Sequence, residues 1–226
     1  MYHPLHKTMV QELSDRSALA TLLPPNSIGC ELGIWRGDHA DDLLRNAKPR
    51  ELHLVDNWSW PKNLDAACET ARIRARFAAG IAAGQVFVHT MSFAEYLASV
   101  PDRSLDWVYV DGAHSYENVA RDLWQAWSRI RVGGILSGHD FAIRPGQWGT
   151  GVCRAVIELI QNRAGTLLAL SNETLGDWAM RVEIPDRILT ENAREPGREL
   201  QAAVSRRLAY ATDGSAPAAN LSIAPT

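Results

Sequence analysis

The chain has 226 residues, 46% of them hydrophobic and 22% charged, with a formal net charge of −3. That suits one globular domain with a sizeable core, and the near-balanced charge gives no reason to expect nucleic acid as a partner. Cys30, Cys68 and Cys153 lie far apart without CxxC spacing, which points to reduced thiols. No apolar run approaches the roughly 20 residues that span a bilayer, so no membrane partner is expected. The opening MYHPLHKTMV lacks a signal-peptide apolar segment, and a cytoplasmic location is the expectation.

Residues 8–23 read as a weakly amphipathic helix stopped by Pro24 and Pro25, giving a helical cap over residues 1–26. A strand follows at 27–31, a helix at 38–46 and a second strand at 51–55. The alanine-rich stretch 63–83 predicts one long helix with Gly84 near its C-terminus. Further strands are predicted at 85–89, 105–110 and 135–138, with helices at 93–99, 116–130 and 151–162. The run LDWVYV at 105–110 is apolar throughout, as a parallel strand buried on both faces requires. Segments 167–170 and 178–182 read as an antiparallel pair. Strands alternating with helices predict a doubly wound, Rossmann-like α/β sheet over residues 27–185, mostly parallel, with its ligand at the carboxyl ends of the strands. Within 186–226, residues 198–210 carry Leu200, Val204 and Leu208 on one helical stripe, and the tail from Thr212 has the composition of a disordered segment. That helix packs on the domain or on a second copy, which leaves a homodimer open.

Chemistry concentrates at two places. The first is residues 27–60, where Glu31, Gly33 and Gly37 mark the first strand–helix turn and Asp56 ends the second strand. Glycines let backbone approach a ligand closely, and a strand-end acid can accept hydrogen bonds from a ribose diol. The pattern is E-x-G-x-x-x-G rather than GxGxxG. A carboxylate about 5 Å from a pyrophosphate would cost on the order of 1–3 kcal/mol, whereas it suits a ligand carrying an ammonium and a sulfonium. The segment resembles motif I and the following acidic strand end of class I S-adenosylmethionine-dependent methyltransferases. The resemblance implies S-adenosylmethionine as cofactor, with the Glu31–Gly33–Gly37 loop beside the methionine moiety and Asp56 on the ribose. It also implies Ser92 near the adenine, a position where a serine equally caps the following helix with Glu95, and a seven-stranded sheet closed by the C-terminal hairpin.

The second place is DWVYVDGAHSYENVARDLWQAWSRIRVGGILSGHDF at 106–141. Asp111 and Asp140 end adjacent predicted strands, with His114 and His139 beside them. Two carboxylates with imidazoles can hold a divalent cation or run general-base chemistry. The D-G-x-H-x-Y-E pattern with its later G-G and H-D is similar to bacterial small-molecule and sugar O-methyltransferases. More distantly it is similar to metal-dependent catechol-type enzymes, whose metal carboxylates match Asp111 and Asp140. That likeness makes His114 the candidate base and Mg²⁺ a candidate second cofactor, with Asp111 itself lying against the S-adenosylmethionine site. Catechol-type enzymes follow the second carboxylate with an asparagine ligand, where this chain has Phe141; His139 is the weak substitute. The function expected is methyl transfer to a small-molecule hydroxyl. A nicotinamide-dependent oxidoreductase and a non-catalytic ligand-binding module are the rivals. Trp35, Trp58, Trp60 and Trp148, with Arg144 and Gln147, are loop residues near the same edge.

Overall fold

The computed structural model describes residues 10–62, 64–141, 150–163, 165–171 and 176–183. Strands and helices alternate through it: β1 (Gln11–Leu13), α1 (Arg16–Ala20), β2 (Ile28–Leu32), α2 (Asp38–Asp42, continued by one π turn), β3 (Glu51–Asp56), α3 (Ala66–Arg76) and α4 (Ala78–Ala82). Then come β4 (Val86–Thr90), α5 (Phe93–Ser99), β5 (Leu105–Val110), α6 (Tyr116–Arg129), β6 (Ile130–Phe141), α7 (Thr150–Arg163), β7 (Thr166–Ser171) and β8 (Gly176–Arg181). They form one sheet in the order β1-β7-β8-β6-β5-β2-β3-β4. Every pairing is parallel except those of β8, which runs antiparallel to both β6 and β7. The mostly parallel sheet with its C-terminal hairpin is therefore present.

An eighth strand joins it. The helix predicted over 8–23 is instead a strand, a turn and one short helix, with residues 8 and 9 outside the described ones. Asp15, in extended backbone, accepts from the Ala18 backbone N–H at 2.9 Å and starts α1 afresh. The residues before it pair parallel with β7, Gln11 opposite Ala169 and Leu13 opposite Ser171, and Leu13 is buried. A weak helical stripe yields to the backbone hydrogen bonds that an open strand edge offers.

The helix predicted over 63–83 also divides. Asp65 caps α3, accepting from Ala67 and Cys68, and the backbone breaks at Phe77 so that its ring packs into the core beside Ile73. Gly84, at φ 71°, closes α4 as expected. β6 begins five residues earlier than the predicted strand (130 against 135), with Gly133 and Gly134 inside it.

The apolar strands are buried on both faces. One face packs Val108, Leu136 and Trp178 against Leu123, Trp127 and Val156 of α6 and α7. The other packs Leu52, Leu54 and Trp107 against Leu19, Leu43 and Ile73. Trp107 lies flat over Gly29, where a Cβ would come 1.9 Å from the indole, and its Nε1 donates to Ser27 Oγ at 2.8 Å. That wedge fixes β2 against β5, whose carboxyl ends carry the candidate site. The three cysteines are free thiols. Among the described residues no helix is long and apolar enough to cross a membrane. The helix and tail expected within 186–226, and the loop residues Arg144, Gln147 and Trp148, lie outside the described residues.

Candidate functional site

The carboxyl ends of β2, β3 and β5 open onto a cavity of about 890 Å³ lined by Glu31, Gly33, Asp56, Ser92, Asp111, His114 and His139, among others. All of the site residues expected from the sequence line this one cavity except Gly37 and Asp140, which are buried. Phe141, where the catechol-type enzymes carry their asparagine, is fully buried.

Gly33 takes φ 96°, and a Cβ there would stand 1.8 Å from the Asp111 carbonyl oxygen. Only glycine lets the first loop cross the end of β5 backbone to backbone. Gly37, at φ 84°, precedes α2 and packs against the Phe77 ring. Asp56 is engaged with the same loop. Its Oδ2 accepts the Ile34 and Trp35 backbone N–H groups at 3.0 and 3.2 Å, and its Oδ1 accepts Trp58 N–H at 2.8 Å. These charge-assisted bonds hold the loop in shape around the cavity. Ser92 forms the full capping box with Glu95 while still lining the cavity, so both of its expected uses are compatible.

Glu31 is 1% exposed. Its Oε1 lies 3.1 Å from His39 Nδ1, and its Oε2 has no partner among the described residues. Burial, then the charge of Asp111, push its carboxyl well above the usual range, with Arg16 pulling back. Burial and Arg16 hold His39 down to about 3, so it is neutral at physiological pH. A buried carboxyl oxygen on a cavity wall with no donor is a demand for one.

Sequence reasoning missed Arg16, Tyr109, His39 and Asp177. α1 delivers Arg16 over the Tyr109 ring, with its Cζ 5.6 Å from the centroid. Its Nη2 is 3.2 Å from Asp111 Oδ2 and its Nε 3.4 Å from Asp177 Oδ1, an oxygen that accepts a hydrogen bond from Tyr109. Burial opposes the guanidinium charge, but the surrounding Tyr109, Asp111, Asp177 and Glu31 raise its pKa above the ordinary arginine value. No motif marked these residues; Arg16 and Asp177 reach the other two through the pairing of β1 with β7 and of β8 with β6.

At the ends of β5 and β6 the four expected side chains do converge. His114 Nε2 is hydrogen-bonded to Asp140 Oδ2, and His139 Nδ1 lies 3.3 Å from Asp140 Oδ1 and 4.0 Å from Asp111 Oδ1. Burial works against the charge on Asp140, yet the hydrogen bonds from His114 and His139 hold its carboxyl well below the usual range. Burial likewise opposes protonation of His139, but Asp140 outweighs it and its pKa is raised. Asp140 sits at φ 59°, a left-handed conformation that few side chains other than asparagine and aspartate take readily. Of the loop tryptophans, Trp35 and Trp60 are exposed at the cavity, while Trp58 is buried and donates from Nε1 to the Trp35 carbonyl.

Asp111, His139 and Asp140 each offer a ligand atom, all within 4.8 Å of one another. Every carboxylate oxygen in that set already faces a nitrogen: Asp111 Oδ2 faces Arg16, Asp140 Oδ2 faces His114, and both Oδ1 atoms face His139. Mg²⁺ requires oxygens in a near-octahedral shell. Here it would share Asp111 with a guanidinium and take an imidazole, a ligand better suited to softer metals. Phe141, the next residue, offers nothing. The arrangement does not fit Mg²⁺.

A family described as a methyltransferase domain matches residues 30–141. No curated protein matches the chain significantly. Among solved structures, the O-methyltransferase TomG of Streptomyces achromogenes, involved in tomaymycin synthesis and solved with S-adenosylmethionine, superposes with a TM-score of 0.57 at 19% identity, covering 75% of this chain and 78% of that one. An rRNA methylase from Streptococcus thermophilus gives 0.53 at 13%, covering 74% and 92%. A Streptococcus mutans protein in complex with S-adenosylhomocysteine gives 0.51 at 12%, covering 72% and 92%. At such identities the likeness is one of fold, and the fold is shared by enzymes with unrelated acceptors.

Proposed function

Residues 30–141 belong to the methyltransferase-domain family on a class I, S-adenosylmethionine-dependent fold, and from that premise we propose that this protein methylates a hydroxyl group of a small molecule. The observation that carries the acceptor chemistry is His114 on the cavity wall, hydrogen-bonded to the buried Asp140. S-adenosylmethionine, when bound, supplies an electrophilic methyl group on a sulfonium. The protein must then align the acceptor oxygen and take its proton.

We assign the second task to His114. The ionised Asp140 accepts from Nε2–H, which fixes the tautomer with its lone pair at Nδ1. A base oriented in this way contributes about 10²–10⁴-fold, and alignment of the acceptor in the cavity supplies several kcal/mol more. Glu31, Asp56 and Ser92 support the cofactor end of the reading. Glu31 offers a buried oxygen without a donor, Gly33 opens the close approach, and Asp56 keeps the loop in that shape. Because the Asp111–His139–Asp140 set does not suit Mg²⁺, the reaction we propose runs without it, with Asp111 and Asp140 orienting the acceptor and the base.

The test uses methyl-labelled S-adenosylmethionine with separate pools of phenols, sugars, amines and RNA. Label is expected in a hydroxyl compound, and it should vanish in His114→Gln protein that still binds S-adenosylhomocysteine. Label confined to amines or RNA would overturn the acceptor reading. Thermal stabilisation by NAD(P) but not by S-adenosylhomocysteine would favour the oxidoreductase instead.

A further inference from the structure

We infer that Arg16 is the anchor for the α-carboxylate of the bound cofactor, a residue brought to the site by the N-terminal strand and helix that lie outside the matched domain. The inference rests on the S-adenosylmethionine reading above. The amino-acid end of that cofactor is a zwitterion, so the wall that receives it must offer an acceptor for the ammonium and a donor for the carboxylate. Glu31 is the acceptor: it lines the cavity, is 1% exposed and has an Oε2 without a partner among the described residues.

Arg16 is the complementary donor. Its side chain is 27% exposed and lines the same cavity. Of the guanidinium nitrogens, Nη2 donates to Asp111 and Nε faces Asp177, so neither acid is approached through Nη1. A planar fork fixed on two edges presents its remaining N–H groups in a set direction, the geometry that recognises a carboxylate with two parallel bonds. The fold supplies the fixing. Asp15 caps α1 immediately before Arg16, and β1 holds that turn against β7. Asp111 and Asp177 approach from β5 and from β8, and the ring of Tyr109 lies beneath. Three separate elements thus converge to orient one side chain.

The full-length protein is titrated calorimetrically with S-adenosylhomocysteine and with its decarboxylated analogue, which keeps the amine and adenosine. Wild type should prefer S-adenosylhomocysteine by roughly 10–100-fold, the range for a charge-assisted bond pair. Arg16→Gln should weaken S-adenosylhomocysteine by a similar factor while moving the analogue less than about threefold, so that the preference collapses. Arg16→Lys keeps the charge but not the fork and should fall between, and it also serves if the glutamine variant does not fold. Equal weakening of both ligands, or an unchanged preference, would overturn the assignment and leave Arg16 as a support for Asp111. Failure of the wild type to bind either ligand would overturn the cofactor reading along with it.

Discussion

Replacing Asp140 with asparagine separates the shape of the site from its proton chemistry. Asparagine keeps the side-chain volume and tolerates the φ of 59° found there, so the strand end should hold. What changes is the hydrogen bond. The carboxylate accepts from His114 on one oxygen and faces His139 with the other. An amide can accept on only one atom and must donate from the other. If its NH₂ turns to His114, Nε2 becomes the acceptor and the ring proton moves to Nδ1, which removes the lone pair that would receive the acceptor's proton. Losing an oriented base costs about 10²–10⁴-fold in turnover, equivalent to roughly 3–5 kcal/mol of barrier. Stability should drop by only about 1–3 kcal/mol, since one buried charged acceptor is lost while both histidines keep partial solvent access. Turnover is read as S-adenosylhomocysteine release, and the tautomer as the ¹⁵N shifts of the His114 ring. Asp140→Asn protein with turnover within threefold of wild type and an unaltered ring tautomer would refute the pairing as the source of the base.

Gly33→Ala should abolish S-adenosylhomocysteine binding and lower the melting temperature sharply. A Cβ there meets the Asp111 carbonyl oxygen at 1.8 Å, on top of about 1–2 kcal/mol for the left-handed backbone. Gly84→Ala, with the same backbone strain and open space around its Cβ, should cost only that smaller amount and leave binding intact; comparable losses in both would refute the close-approach argument. Turnover should be unchanged by EDTA, and a requirement for added Mg²⁺ would restore Asp111 and Asp140 as metal ligands. Burial, then the neighbouring His89, hold His53 down to about 4, against an ordinary value of 6.5. The unfolded chain therefore binds the extra proton between pH 6.5 and about 4, and stability is full above that window and falls as pH drops through it. At pH 5 the loss from this residue is up to about 2 kcal/mol. Urea unfolding of His53→Phe at pH 7.5 and 5 should show a correspondingly shallower pH dependence than wild type.

The residues legible in the sequence are those whose meaning depends on near neighbours in the chain. Glu31, Gly33, Gly37 and Asp56 sit in one strand–turn–helix–strand unit, so their spacing alone places them together. Asp111 and Asp140 were legible because an apolar run of strand length ends at each. Arg16 was not, since its position depends on residues 11–13 pairing with 169–171, a contact across most of the chain. Residues 8–23 then look like a plain helix, and Arg16 like one of its solvent-facing charges. Asp177 was hidden for the same reason: it precedes the strand predicted at 178–182 but lies within β8, whose neighbour, β6, is fixed only by the sheet order. The Asp56 hydrogen bonds could not be read either, because a strand-end acid gives no sign of whether it faces ligand or loop.

The three-residue β1 has a consequence for how copies of this protein can meet. By lying along β7 it replaces a long open strand with a stub that offers few backbone groups to another chain. Among the described residues the longer edge is β4, at the far side of the sheet. Growth by strand addition requires two adhesive edges, and among the described residues β4 is the one of any length. Pairing through β4 alone would close after two copies around a two-fold axis rather than propagate.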